Sequence, residues 1–111
     1  MLTEDLLTQE FITLVNQFYP ELQNLLRHCY VKVVSSYGTR IRKRLLYVVL
    51  YCPEEILMLV QGQKAAFSDI AHNMGLADVV CINATRLLRD PASTLKQRYP
   101  RLWLDLHFML R

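Results

Sequence analysis

Residues 66–88 read AFSDIAHNMGLADVVCINATRLL, and the fold turns on how the second half of that stretch is built. Phe67, Ile70, Ala71 and Met74 recur at helical spacing, which predicts a central helix near 64–75. Gly75 follows as its stop, because glycine takes up the left-handed backbone that ends a helix without a steric penalty. Ala77 to Asn83 then admits two builds. As a helix, it turns Asp78, Val79, Ile82, Asn83 and Arg86 outward. As a strand, the run of Val, Val, Cys and Ile is the buried interior of a sheet, where β-branched side chains pack well.

Upstream, Pro53, Glu54 and Glu55 suit a helix start: proline is preset for the first turn, and the acids suit the dipole. The following EILMLVQG fits that helix, or a short buried strand ending at Gly62. Residues 29–52 are rich in Val and Tyr, with Tyr37-Gly38 as the one turn signal among them. That composition predicts a β-hairpin with strands near 29–35 and 40–52, although Ile41, Leu45, Val48 and Cys52 also match a helix face. In the strand reading Arg40, Arg42 and Arg44 share one sheet face.

Both termini carry regular patterns of different period. Residues 3–18 predict a helix capped by Thr3, with Glu4 and Asp5 in its first turn. Leu7, Phe11, Leu14 and Phe18 form one stripe, which must cover a core or meet another chain. Pro20 breaks this helix and opens a short second one, with Leu22, Leu25 and Leu26 as its apolar side. In RLWLDLHFMLR, Leu102, Leu104, Leu106, Phe108 and Leu110 alternate with Trp103, Asp105, His107 and Met109, which predicts a strand near 102–110. Together these elements make an α+β fold in a single domain over 1–111: a helical N-terminus, an antiparallel sheet built on the hairpin near 29–52, the central helix and the C-terminal strand.

Composition narrows the function classes. With 52% apolar and 21% charged residues, the chain is globular rather than disordered. Its longest charge-free apolar run, Leu45 to Pro53, falls short of the roughly 20 residues that span a bilayer. Glu4 and Asp5 stand where a secretory leader needs basic residues, so a cytoplasmic protein with no membrane partner is expected. Cys29, Cys52 and Cys81 are an odd, widely spaced set, which implies reduced thiols buried as small hydrophobes. The net charge is only +3, yet Arg40, Arg42, Lys43 and Arg44 cluster, as do Arg86 and Arg89 with the basic residues before the C-terminus. Such asymmetry permits an anionic partner.

No enzyme is expected. GQKAAFSD has one glycine and lacks the Gly-Lys-Ser/Thr ending of a phosphate-cradling loop, and no serine lies in a nucleophile elbow. Cys and His are not spaced as metal ligands, so neither a metal nor another cofactor is implied.

DIAHNMGLADVVC, with Ala71 at a helix crossing, Gly75 in the turn, Ile70, Met74 and Leu76 flanking it and Cys81 as an anchor, resembles the helix-turn-helix segment of bacterial DNA-binding proteins. Residues 53–88 as a whole resemble response-regulator output domains. The resemblance implies a small regulatory protein that binds double-stranded DNA through 66–88. Asn83 and Arg86 would then approach the groove, while Arg40, Arg42, Lys43, Arg44 and Arg89 meet phosphates. The competing reading is a protein–protein interaction or adaptor module, a homodimer with no nucleic-acid role. Its interface would draw on Leu7, Phe11, Leu14 and Phe18, with Tyr99, Arg101 and Trp103 as anchors. The two diverge on whether Val79 to Asn83 is helix or strand.

Overall fold

The computed structural model describes residues 3–37 and 44–110. Helix α1 (Glu4–Phe18) begins at Thr3, whose Oγ1 accepts the Leu6 N–H at 3.1 Å. Pro20–Leu22 make one 3₁₀ turn that leads into α2 (Gln23–Arg27). The hairpin follows as β1 (Tyr30–Tyr37) and β2 (Arg44–Cys52), antiparallel, with Tyr30 opposite Tyr51 and Val33 opposite Val48. A second 3₁₀ turn (Glu54–Ile56) precedes α3 (Leu57–Gly62) and α4 (Lys64–Asn73). The chain then enters β3 (Asp78–Asn83) and finishes through α5 (Ala84–Arg89), α6 (Leu95–Arg98) and α7 (Pro100–Met109).

This is an α+β chain with a three-stranded sheet in the order β1-β2-β3. The sheet is mixed rather than antiparallel, because β3 lies parallel to β2, with Val48 opposite Val79 and Cys52 opposite Asn83. A parallel neighbour needs a crossover, and α3 with α4 supplies it. Alternation along the strands sends side chains to two helical layers. Val33, Val48, Leu50, Cys52 and Val79 pack with Phe11, Val15, Val60, Phe67 and Ile70 beneath α1 to α4. On the other face Val49 and Tyr51 pack with Ala84, Leu102 and Leu106 from α5 and α7. Among the described residues, no helix is long and apolar enough to cross a membrane.

One element reading is corrected, and one open choice is decided. The segment 102–110 is helix α7, not a strand. Leucine at nearly every even position satisfies both periods at once, and Pro100 suits the first turn of the helix. Leu102 and Leu106 are buried one turn apart, whereas Leu104 and Phe108, which a strand would bury beside them, are exposed. The open choice concerns residues after Gly75. Gly75 (φ 81°) closes α4: its N–H donates to the His72 carbonyl at 3.0 Å, and the Leu76 N–H donates to the Ala71 carbonyl at 2.9 Å. That is a Schellman cap, with Leu76 buried behind it. The chain emerges into a strand, so the second helix of a helix-turn-helix is absent from 78–83.

Candidate functional site at the sheet edges

A three-stranded sheet has two edges, and this chain treats them differently. At the β1 edge, the Val33 N–H points away from β2 and donates to Thr8 Oγ1 at 2.9 Å. The same hydroxyl donates to the Glu4 carbonyl at 2.8 Å. One turn earlier, Glu4 Oε1 accepts from Ser35 Oγ at 3.0 Å and from Arg44 Nη2 at 3.2 Å. Helix α1 therefore lies along β1 and satisfies an outward backbone donor with a side chain, one of the ways natural sheets blunt an edge. Beyond Thr8 the two elements part and leave a cleft of about 790 Å³, lined by Asn16, Arg27, Cys29, Arg101 and Asp105 among others.

The β3 edge has no such cover. Among the described residues no strand lies outside it. The Val79 N–H donates to its neighbour's carboxylate, Asp78 Oδ1, at 2.8 Å. Alternation then turns the N–H and C=O of Cys81 to the same outer side. Val80 is 40% exposed on the sheet face that α7 leaves uncovered. The strand carries no lysine, no proline and no bulge, and Asp78 is its one charge. The Val79 amide, with Ser68 Oγ at 3.2 Å and the charges of Lys64 and His72, holds the Asp78 carboxyl below its ordinary value despite some burial. Beside this edge α3 packs on β3 and exposes Met58 and Leu59.

Of the residues picked from sequence for DNA, Asn83, Arg86 and Arg89 line one surface hollow, and Arg44 lies apart from them. Asn83 caps α5, its Oδ1 accepting the Arg86 N–H at 3.0 Å. Arg86 and Arg89 sit in the last turn of α5 with Asp90 beside them. Arg44 opens β2 at the other end of the sheet, eight residues from Cys52, or about 26 Å along the strand. Arg40, Arg42 and Lys43 lie outside the described residues.

Of the residues picked for a protein interface, Leu7 and Phe11 are buried in the core and so unavailable to a partner. Leu14 packs against that core, and Phe18 at the end of α1 is exposed. Tyr99 is exposed before α7, and Arg101 lines the cleft. Trp103 stacks on His107 with ring centroids 4.8 Å apart and lies 4.9 Å from Lys96 Nζ, so its face is already occupied. Sequence reasoning passed over Thr8 and Val80. A threonine in a polar helix face and a valine in an apolar run look ordinary until the strand order is known. The chain matches no family model, no curated protein and no solved structure.

Proposed function

We propose that this chain is a non-enzymatic protein-interaction module that assembles with a second copy of itself by pairing β3 edge to edge. The observation that carries the reading is the contrast between the edges: α1 covers β1, while β3 keeps an exposed valine and is blunted only at its first residue, where Asp78 takes up the Val79 amide. An edge open beyond that point is a template for another strand, and a two-fold axis is the commonest way for identical chains to use one.

Charge selects the direction. Asp78 opens β3, while Arg86 and Arg89 lie beyond its end. Antiparallel pairing about an axis at Cys81 sets the acidic end of each strand against the basic end of the other. Parallel pairing sets like charges together, which costs free energy. In the antiparallel register Val80 meets Ile82 of the second copy, and Met58 and Leu59 add apolar surface beside the joint. The result is a continuous six-stranded sheet.

The module reading fits the strand at 78–83, whereas a regulatory role through a DNA-reading helix requires that segment to coil. Sedimentation equilibrium of the full chain tests the choice. The expected result is a concentration-dependent species of twice the 13.0 kDa chain mass, lost in Val80→Lys with the circular dichroism spectrum and Tm kept. Lysine at an exposed edge position opposes pairing without entering the core. A monomer at all concentrations, or a dimer indifferent to Val80→Lys, overturns the proposal. Duplex DNA bound at low salt and released by Arg86→Glu with Arg89→Glu would return the DNA reading in its place.

A further inference from the structure

The hairpin register sets two cysteines against each other. Tyr30 pairs with Tyr51, so one step further along the ladder Cys29 stands opposite Cys52. Parity fixes the kind of site. Val33 sends its N–H outward to Thr8, so Val33–Val48 is a non-hydrogen-bonded pair, and Cys29–Cys52, four residues along each strand, keeps that parity. At such positions facing Cα atoms lie about 4.5 Å apart with side chains on the same face, inside the range a disulfide spans. The sulfurs are 3.6 Å apart.

The two thiols differ in access. Cys29 is half-buried and lines the 790 Å³ cleft between α1, α2 and β1. Cys52 is sealed in the core, donating to the Leu50 carbonyl at 3.4 Å. The contact with Cys29, and then burial, hold the Cys52 thiol protonated well above the ordinary thiol range. Cys81 faces the same core from β3 but stands opposite Leu50, off the Cys29–Cys52 rung.

We propose that Cys29 and Cys52 are a redox-active dithiol, opened to small hydroperoxides through the cleft and oxidised by them to an intramolecular disulfide. The Cys29 thiolate attacks a peroxide oxygen, the O–O bond breaks, and the departing hydroxide or alkoxide takes a proton. Cys29 is then a sulfenic acid. The Cys52 sulfur attacks that sulfur, the S–S bond forms, and hydroxide leaves with the Cys52 proton as water. With hydrogen peroxide the sum is two thiols and one peroxide giving one disulfide and two waters. The bond joins the α2–β1 junction to the end of β2, where both helical layers meet the sheet.

The test is native oxidation of the full chain with a small excess of hydrogen peroxide, followed by unfolding, alkylation and mass spectrometry. Expected are a loss of two hydrogens, a fall from three alkylatable thiols to one, and a tryptic product joining residues 28–32 to 45–64. The product returns to three thiols with dithiothreitol and forms equally in Cys81→Ser. Closing a loop of this length raises Tm by about 10 °C. Three free thiols after oxidation, Cys29 carried on to a sulfinic acid without linkage, or a disulfide made through Cys81 would each overturn the proposal. Because the linkage is intramolecular, its outcome is independent of whether β3 pairs with a second copy.

Discussion

The Thr8 hydroxyl accepts the Val33 amide at 2.9 Å, and that bond is what makes β1 a finished edge. Strand and helix are joined there without a third strand, because threonine in a helix can donate back to the carbonyl four residues earlier and still accept from outside. At β3 the corresponding outward amide, that of Val79, is taken up only by the strand's own Asp78, with no helix laid alongside.

Thr8→Val keeps the shape of the side chain and removes the acceptor. The Val33 amide is then left unpaired in a partly buried place, which costs about 1–2 kcal/mol. The urea midpoint should fall at unchanged m-value, while Thr8→Ser, which restores the hydroxyl, should recover most of the loss. A valine variant as stable as the parent would mean that water replaces the threonine.

How much of the fold is legible without the structure depends on which period a segment obeys. Helix α1 is plain, since Leu7 and Phe11 lie one turn apart behind a threonine cap. The hairpin is legible from the Val and Tyr that crowd both arms, although its second arm also fits a helix face until it pairs with β1. Residues 102–110 are not, because leucine fills positions that both a strand and a helix would bury; the choice is made by Tyr30 and the sheet face on which α7 rests. At Gly75 the local chemistry signals a helix stop, but a stop does not dictate the element beyond it. Parallel pairing of Val79 with Val48, a contact 31 residues away in sequence, makes that element a strand. Edge exposure is beyond reach altogether: Val80 resembles its buried neighbour Val79 in every respect except the sheet face it points to, and how far that face is covered shows only in the folded chain.

Asp78 gives that strand order a pH signature. Its carboxylate is stabilised in the fold chiefly by the Val79 amide and then by Ser68, Lys64 and His72, so its folded pKa lies below the ordinary 3.8. A depressed pKa means the folded chain binds this proton less readily than the unfolded chain does. The contribution to stability is therefore complete above the unfolded value and disappears as pH falls through the folded one. Asp78→Asn should lower the urea midpoint at pH 7, and the gap to wild type should close as pH drops from about 5 to 2. A gap that stays constant across that range would show that the charge contributes nothing there.

Tyr30 works in the opposite direction and reports on α7. Its hydroxyl donates to Asp105 Oδ2 at 3.1 Å, tying β1 to the helix that covers the far sheet face. Burial, then the bond to Asp105 and the charge of that carboxylate, push the phenol above its ordinary 10.0, against a smaller pull from Arg101. Because the folded chain holds the proton more tightly, the stabilisation is present below about pH 10 and is lost as pH rises through the folded value. Tyr30→Phe keeps the ring beside Tyr51, with centroids 6.0 Å apart, and removes only the bond. Its cost near neutral pH should be about 1 kcal/mol, shrinking towards zero above the folded pKa of Tyr30. Were 102–110 a strand instead, Asp105 would have no fixed place opposite Tyr30, and the variant would be as stable as wild type at every pH.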